Sequence, residues 1–250
     1  MIAVAPISFH AVTPDALRVI AAFVGLHWSP EPLTSSDWVG DSEDQSSRDD
    51  ATPVPTQIKY GNGLYAWVAG ARKLPASQWS SLPVIYVGIS EKTREKEAAS
   101  AVTDRTRAEL SWRGPDNIRL GRAAAALDAL PLGGPVRYDP TVDVTFLARW
   151  LNQQGQSDAV EWLRTTRDSP KLERFLVRAA IWASDVGLVL NSQFNNCFAP
   201  NSKSGYAADL AAWATVRELQ RQGELPTTWS PAAQQPHTPA RGDEPGVGIV

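Results

Sequence analysis

Two short apolar runs, close together in the chain, constrain its fold more than any other feature. The first is Gly63 to Gly70 (GLYAWVAG) and the second is Leu82 to Ile89 (LPVIYVGI). Runs of this length that are rich in β-branched and aromatic residues and bounded by glycine or proline are typical of β-strands. Each run carries a tyrosine close to a glycine, so two neighbouring strands can bring both phenol groups to one place on a sheet.

Length and composition predict a folded protein that is neither embedded in a membrane nor secreted. The 250 residues are enough for one large domain or two small ones. No apolar run approaches the roughly 20 residues that a membrane span needs, and Met1 to His10 lacks the basic start of a secretory signal. The single cysteine, Cys197, excludes an internal disulfide and a cysteine zinc site. A cytoplasmic location is therefore expected.

Charge and histidine content narrow the classes of function. The formal net charge of −3 gives no overall signal for nucleic acid, although the acidic residues crowd into 37–50 and a basic face can exist elsewhere. Only His10, His27 and His237 are present, which leaves little for a Ser-His-Asp triad or a histidine-rich metal site. If the chain is an enzyme, other side chains are expected to transfer protons.

Apolar spacing and capping signals predict helices around the two strands. The predicted helices are Pro14–Leu26, Glu91–Leu110, Leu120–Leu130, Val142–Asn152, Lys171–Leu190 and Tyr206–Arg221. Thr13 is the expected N-cap of the first helix, with Pro14 at its first position. Alternation over Ala159–Thr165 predicts a further short strand.

Composition divides the chain into four parts. They are an N-terminal helical segment (1–28), an acidic linker rich in Ser and Pro (29–56), a folded domain (57–222) and a Pro- and Gln-rich tail that is expected to be disordered (223–250).

Glu173 is the acidic residue whose position most suggests chemistry. It lies in the first turn of the helix predicted at Lys171–Leu190, where the helix dipole stabilises an anion, and at the edge of an apolar stripe. A partly buried carboxylate needs a partner, and Mg²⁺ is one such partner. The alternative is an ordinary first-turn glutamate that faces water or pairs with Arg174 or Lys171.

Asn191 follows this helix in a run of amides and hydroxyls, LNSQFNN. One interpretation is a C-cap amide that ends the helix. The other is a side chain that binds phosphate or fixes a loop over a site.

Four of these pieces, in order, resemble the motifs of the GIY-YIG nuclease superfamily. They are Gly63-Leu64-Tyr65, Tyr86-Val87-Gly88, the segment LERFLV that contains Glu173, and Leu190-Asn191. Each piece is short, and the ordered set of four is what is specific. The resemblance covers about residues 60–196. It implies an α+β fold with a small three-stranded antiparallel sheet flanked by helices, here with a helical insertion and extra helical segments at both ends.

The family pattern also has an arginine in the helix after the second strand. Arg94 lies at about the expected distance beyond Gly88. Because insertions occur there in the family, later arginines remain alternatives: Arg105, Arg107, Arg119 and Arg122. Any of them can instead be a solvated surface charge. The family's frequent histidine in this helix is missing here.

The resemblance implies phosphodiester hydrolysis with one Mg²⁺ or Mn²⁺ ion. Glu173 would hold the metal, and Tyr65 would take a proton from the attacking water. Tyr86 would hydrogen-bond the nucleophile or the phosphate, Arg94 would bind the phosphate, and Asn191 would position the loop or the leaving strand. A phenol is a poor base at neutral pH unless nearby positive charge lowers its pKa.

Double-stranded DNA is the implied partner, and cutting both strands with one site per chain requires a homodimer or two successive events. Two alternatives stay open. One is a catalytically inactive module of the same fold that binds nucleic acid or protein, and the other is a toxin-type nuclease that acts on RNA. For the tyrosines themselves, the alternative is ordinary cross-strand packing with a solvated hydroxyl.

Overall fold

The computed structural model describes residues 10–33, 63–90, 115–156, 169–185 and 203–227. The helices in these ranges are α1 (Pro14–Phe23), α2 (Pro115–Ala126), α3 (Thr145–Gln153), α4 (Ser169–Trp182) and α5 (Lys203–Gln222). The strands are β1 (Leu26–Trp28), β2 (Glu31–Pro32), β3 (Gly63–Val68), β4 (Val84–Ser90), β5 (Leu130–Gly134) and β6 (Val136–Tyr138). The α+β class predicted from the sequence is confirmed.

The main sheet is antiparallel, with the strand order β2-β5-β3-β4. β3 and β4 confirm the two strands predicted from the apolar runs. The expected three-stranded sheet is not what the structure shows, because Glu31 and Pro32 add an edge strand opposite Gly133 and Leu132 of β5. A two-residue strand that contains a proline has no periodicity to detect, and an edge is where a sheet tolerates proline. The strand predicted at Ala159–Thr165 lies outside the described residues.

A second ladder joins β1 to β6 and continues the first one in the same register. Leu26 faces Tyr138 in β6, and Glu31 faces Gly133 in β5 with the same offset along the chain. The ladder breaks at Ser29-Pro30 and Gly134-Pro135, where two prolines lack the N–H that a ladder needs. At this break the backbones meet closely, because a Cβ on Gly134 would lie 2.1 Å from the Ser29 carbonyl oxygen.

The main core lies between one face of this sheet and the helices α1, α4 and α5. Leu64 and Ala66 of β3 share that core with Leu17 of α1, Phe175 of α4 and Leu210 of α5, all of them fully buried. The N-terminal helix therefore packs into the same core as the strands. The boundaries of the four parts stay a prediction.

The helix ends differ from the predicted ones where distant residues intervene. Thr13 caps α1 as expected, since its Oγ1 accepts a hydrogen bond from the Ala16 N–H at 3.1 Å. α4 ends at Trp182, whereas the sequence predicts a helix that continues to Leu190. Just beyond this end, the Asp185 N–H donates a hydrogen bond to the His10 carbonyl at 2.8 Å, so the chain near the N-terminus binds the backbone there.

The last predicted helix is confirmed as α5. Among the helices of the described ranges, none combines the length and the apolar character that crossing a lipid bilayer requires.

Candidate functional site

The register of β3 against β4 places three aromatic side chains on one face of the sheet. Tyr65 pairs with Gly88 and Trp67 pairs with Tyr86, after which the register shifts so that Val68 faces Val84. One residue of β4 is therefore extra at this point, and the alternation of the strand restarts beyond it. Because residues that face each other across a ladder share a side of the sheet, Tyr65, Trp67 and Tyr86 project together.

The two tyrosines of the predicted motifs are in contact. Their ring centroids lie 5.9 Å apart, with the ring planes tilted by 34°. Tyr65 is only 1% exposed, whereas Tyr86 is partly exposed. The structure therefore brings two of the five predicted site residues together, with one phenol inside the protein and the other near its surface.

Gly88 allows this arrangement because the ring of Tyr65 lies across it. A Cβ at position 88 would lie 2.4 Å from Tyr65 Cζ and 2.5 Å from its hydroxyl oxygen. β3 is an interior strand and β4 is at the end of the sheet order. A phenol from the interior strand thus extends over the outer strand, which only a residue without a side chain permits.

The residues that cover the tyrosine side of the sheet come from α2 and from the turn that follows it. Ala124 of α2 and Ala129 pack with Tyr65, Trp67 and Ile85 in a separate small core. The loop after β3 is tied to the same helix end, since the Gly70 N–H donates to the Leu127 carbonyl at 2.8 Å. α2 is thus the helix that covers the tyrosine side.

Glu173 lies on α4, which covers the other face of the sheet. Leu172, Phe175 and Leu176 of this helix belong to the main core with Leu64 and Ala66, whose side chains alternate with Tyr65. α4 packs against β4. The helix of Glu173 and the tyrosine pair thus lie on opposite faces of the sheet, with β4 between them.

Glu173 also lies deeper in its helix than the sequence predicts. α4 begins at Ser169 and has no acidic residue in its first turn. The dipole effect is confined to the first turn of a helix, so it contributes less to the Glu173 carboxylate than expected. The half-buried position that the apolar stripe predicts for this side chain is found.

The other predicted site residues are described in part or not at all. Arg94, Asn191, Arg105 and Arg107 lie outside the described residues. Arg119 and Arg122 belong to α2 on the tyrosine side of the sheet, and the Arg122 side chain is exposed.

The sequence does not predict the buried ion pair that joins α4 to α5. Arg174 binds Asp209 through Nε and Nη2, each bond 2.8 Å long, and the Asp209 side chain is 3% exposed. Arg178 Nε lies 3.6 Å from the same carboxylate, and the Arg178 guanidinium stacks over Trp182 at 4.6 Å. The spacing of four residues between Arg174, Arg178 and Trp182 is the only signal in the sequence, and it does not reveal the partner helix.

A smaller polar cluster lies on the surface beside β1 and β6. Asp139 accepts hydrogen bonds from the Thr141 hydroxyl at 2.6 Å and from the Thr141 N–H at 2.8 Å. His27 Nε2 lies 3.5 Å from the other carboxylate oxygen. The hydrogen bonds from Thr141 and, to a smaller extent, His27 hold the pKa of Asp139 below its ordinary value.

Glu173 is the metal ligand that the sequence predicts, and its side chain is half-buried on α4. Within the described ranges there is no group of three or more His, Cys, Asp or Glu side chains arranged to hold a metal. Mg²⁺ commonly takes only one or two protein carboxylates and completes its shell with water and phosphate oxygens. A half-buried glutamate at the boundary of the core fits that need.

Comparison of the chain with models of protein families, with curated proteins and with solved structures finds no match. The motifs and the geometry of β3 and β4 are therefore the features that indicate a function.

Proposed function

We propose that this protein is a metal-dependent endonuclease of the GIY-YIG type that hydrolyses phosphodiester bonds, with double-stranded DNA as its substrate. The observation that carries the proposal is the position of Tyr65, with its ring against Tyr86 and across Gly88 at the outer strand. In the family pattern the two tyrosines act at one phosphate, and here their rings meet beside the outer strand of the sheet.

The two tyrosines differ in exposure, which suggests a different role for each in the reaction. Tyr86 is the more accessible phenol and would hydrogen-bond the phosphate or the nucleophilic water. Tyr65, as the phenolate, would take the proton from that water and become the neutral phenol, in a position enclosed from bulk solvent. Arg94 would bind the phosphate, and Asn191 would position the loop or the leaving strand.

Glu173 would hold the Mg²⁺ or Mn²⁺ ion. A bound divalent ion supplies neutralisation of the charge that develops on the phosphate. The role of Glu173 in this chain is to place a carboxylate beside β4, on the helix that packs against that strand.

A catalytically inactive binding module is the second candidate, and two observations favour it. Tyr65 is almost completely buried, and the helix of Glu173 covers the sheet face opposite to the tyrosines. In such a module the tyrosines would serve only as cross-strand packing.

Nicking of supercoiled plasmid in the presence of Mg²⁺ separates the two. The nuclease predicts cleavage that EDTA abolishes and that Glu173→Gln, Tyr65→Phe and Tyr86→Phe each reduce by at least about a hundredfold, as for lost catalytic groups. Matched controls are Glu224→Gln, an exposed glutamate, and Tyr138→Phe, a half-buried tyrosine of β6, both of which should keep full activity.

Three results would reject the assignment: no cleavage by the wild-type protein, equal cleavage by wild type and Glu173→Gln, or cleavage that EDTA does not affect. Faster cleavage of single-stranded RNA than of duplex DNA would instead make the protein an RNA nuclease of the toxin type. Linear product that forms before nicked product is consumed would indicate a homodimer with two sites.

A further inference from the structure

The largest exposed apolar side chain on α3 belongs to Phe146. Of the large apolar residues in the described ranges, only Leu74, Leu127 and Phe146 are strongly exposed, and Phe146 is the most exposed at 47%. Phe146 also has an aromatic neighbour one turn further along its helix.

That neighbour, Trp150, is held in place by a tryptophan of another helix. Trp150 stacks on Trp213 of α5, with ring centroids 5.5 Å apart and an angle of 29° between the ring planes. Both rings are half-buried against the main core. Because residues four apart share a helix face, Phe146 and Trp150 lie on one side of α3 and define an aromatic strip, in which Trp150 rests on Trp213.

Two arginine side chains lie near this aromatic strip. Arg149 is exposed between the two aromatic residues of α3 and has no ion-pair partner within the part of the chain that the structure describes. Arg217 lies one turn beyond Trp213 on α5. α3 itself carries no acidic residue.

The nearest acidic side chains on these two helices are already engaged. Asp143, which precedes α3, accepts a hydrogen bond from the Thr145 N–H at 2.7 Å. Glu218 of α5 binds Arg221 and Gln222. An anion that approaches Arg149 therefore meets carboxylates whose charge is partly satisfied.

The side chains around the strip select its partner. Asn152, Gln153 and Gln154 are exposed beside it, and their amides can hydrogen-bond to the edges of bases. Aromatic rings next to arginine are what unpaired bases and their phosphates require.

We propose that Phe146, Arg149, Trp150 and Trp213 form a binding surface for single-stranded nucleic acid, separate from the tyrosine pair. A base stacks on the exposed ring of Phe146, against the platform that Trp150 and Trp213 make, and Arg149 contacts the adjacent phosphate. This inference does not depend on cleavage, because binding at this surface requires neither the metal nor Glu173.

Fluorescence anisotropy with a labelled oligothymidylate tests the proposal on the full chain. An oligomer of about 12 nucleotides falls within the usual site sizes of 4–16, and EDTA in the buffer prevents cleavage. Phe146→Ser should weaken binding about tenfold, the loss expected for one stacked base. Arg149→Gln should weaken binding and reduce the slope of log K against log salt by about 0.7, the value for one phosphate contact to a single strand.

Matched controls lie elsewhere on the surface. Leu127→Ala removes the other strongly exposed apolar side chain of similar exposure, 43%, and Arg18→Gln removes an exposed arginine of α1. Both should bind as the wild type does. If Phe146→Ser alters the circular dichroism spectrum, the oligomer affinities of Phe146→Leu and Arg149→Gln test the proposal in its place.

Two outcomes would overturn the proposal. One is a wild-type protein that does not bind the oligomer at low salt, which would indicate that the strip binds a protein and not a nucleic acid. The other is binding that Phe146→Ser and Arg149→Gln leave unchanged. Loss of plasmid cleavage in Glu173→Gln with oligomer binding intact would show that the two sites are independent.

Discussion

The ring of Tyr65 lies across the backbone of Gly88 on the neighbouring strand, closer than any side chain at position 88 would permit. This contact explains why a glycine follows the second tyrosine after one residue in the sequence Tyr86-Val87-Gly88. It also connects the two motifs physically, since the glycine of one strand makes room for the phenol of the other.

Gly88→Ala should therefore destabilise the protein. The new methyl group would meet Tyr65 Cζ at 2.4 Å and Cε1 at 2.8 Å, and forced overpacking costs about 1–3 kcal/mol. Urea unfolding should show a lower midpoint with an unchanged slope.

The double variant Tyr65→Leu with Gly88→Ala is the control for this mechanism. With the ring gone, the alanine should cost clearly less than it does in the wild-type background, so the double-mutant cycle should show coupling. Additive losses would mean that Gly88 is needed for its own backbone conformation and not for the Tyr65 ring.

Asp209→Asn should be among the most destabilising polar substitutions in the described ranges. It removes the negative charge that Arg174 binds with two bonds of 2.8 Å, and the carboxylate is 3% exposed. Breaking a buried pair leaves an uncompensated charge, here on two arginines of α4, at a cost of about 3–5 kcal/mol. The free energy of unfolding in guanidinium chloride measures it.

Glu218→Gln on the same helix gives the matched comparison. In this pair the Arg221 side chain is 72% exposed and the Glu218 side chain is 12% exposed, so water screens the charge of the arginine and the loss should be smaller than for Asp209→Asn. If both substitutions cost the same, the burial of the Arg174–Asp209 pair does not determine its contribution.

Asp139 should titrate below its ordinary pKa of 3.8 in the folded protein. The Thr141 hydroxyl is the main cause, followed by the Thr141 N–H and by His27. Because the folded pKa is depressed, this group contributes stability above its unfolded pKa, and the contribution is lost as the pH falls through the lower folded value.

An NMR titration of the side-chain carboxyl carbon measures this pKa directly. Thr141→Ala removes the hydroxyl and keeps the backbone N–H, so the pKa of Asp139 should rise but stay below that of an unfolded aspartate. A pKa that Thr141→Ala leaves unchanged would contradict the assigned cause.

Thr13→Ala should remove the N-cap of α1 and lower the free energy of unfolding by about 1 kcal/mol. The Thr13 hydroxyl accepts a hydrogen bond from the Ala16 N–H at 3.1 Å. Thr13→Ser keeps that acceptor and should retain most of the stability in thermal unfolding. Equal losses in the two variants would assign the effect to the threonine methyl group.

Local patterns in the sequence were enough for some elements of the fold. The strands β3 and β4, the cap at Thr13 and the helix α5 follow from apolar runs, glycines and capping residues that neighbour one another along the chain. The motif that places Tyr65 near Tyr86 is of the same kind, since strands that follow one another along the chain usually lie side by side.

Other elements could not be read from neighbouring residues. The segment Leu130–Gly134 (LPLGG) contains turn residues, yet it forms a strand because β2 and β3 supply its hydrogen-bond partners on both sides. The end of α4 depends on His10, and the buried charge of Asp209 depends on Arg174 of another helix.

The sequence by itself thus determined that the two apolar runs become strands, that Thr13 caps a helix, and that two tyrosines and a glycine lie on adjacent strands. Only the tertiary structure decided that Tyr65 is buried while Tyr86 is accessible, that the helix of Glu173 covers the opposite face, and that Trp150 stacks on Trp213 beside the exposed Phe146. The reason is physical: local conformation depends on adjacent residues, whereas burial and contact depend on which distant segments pack together.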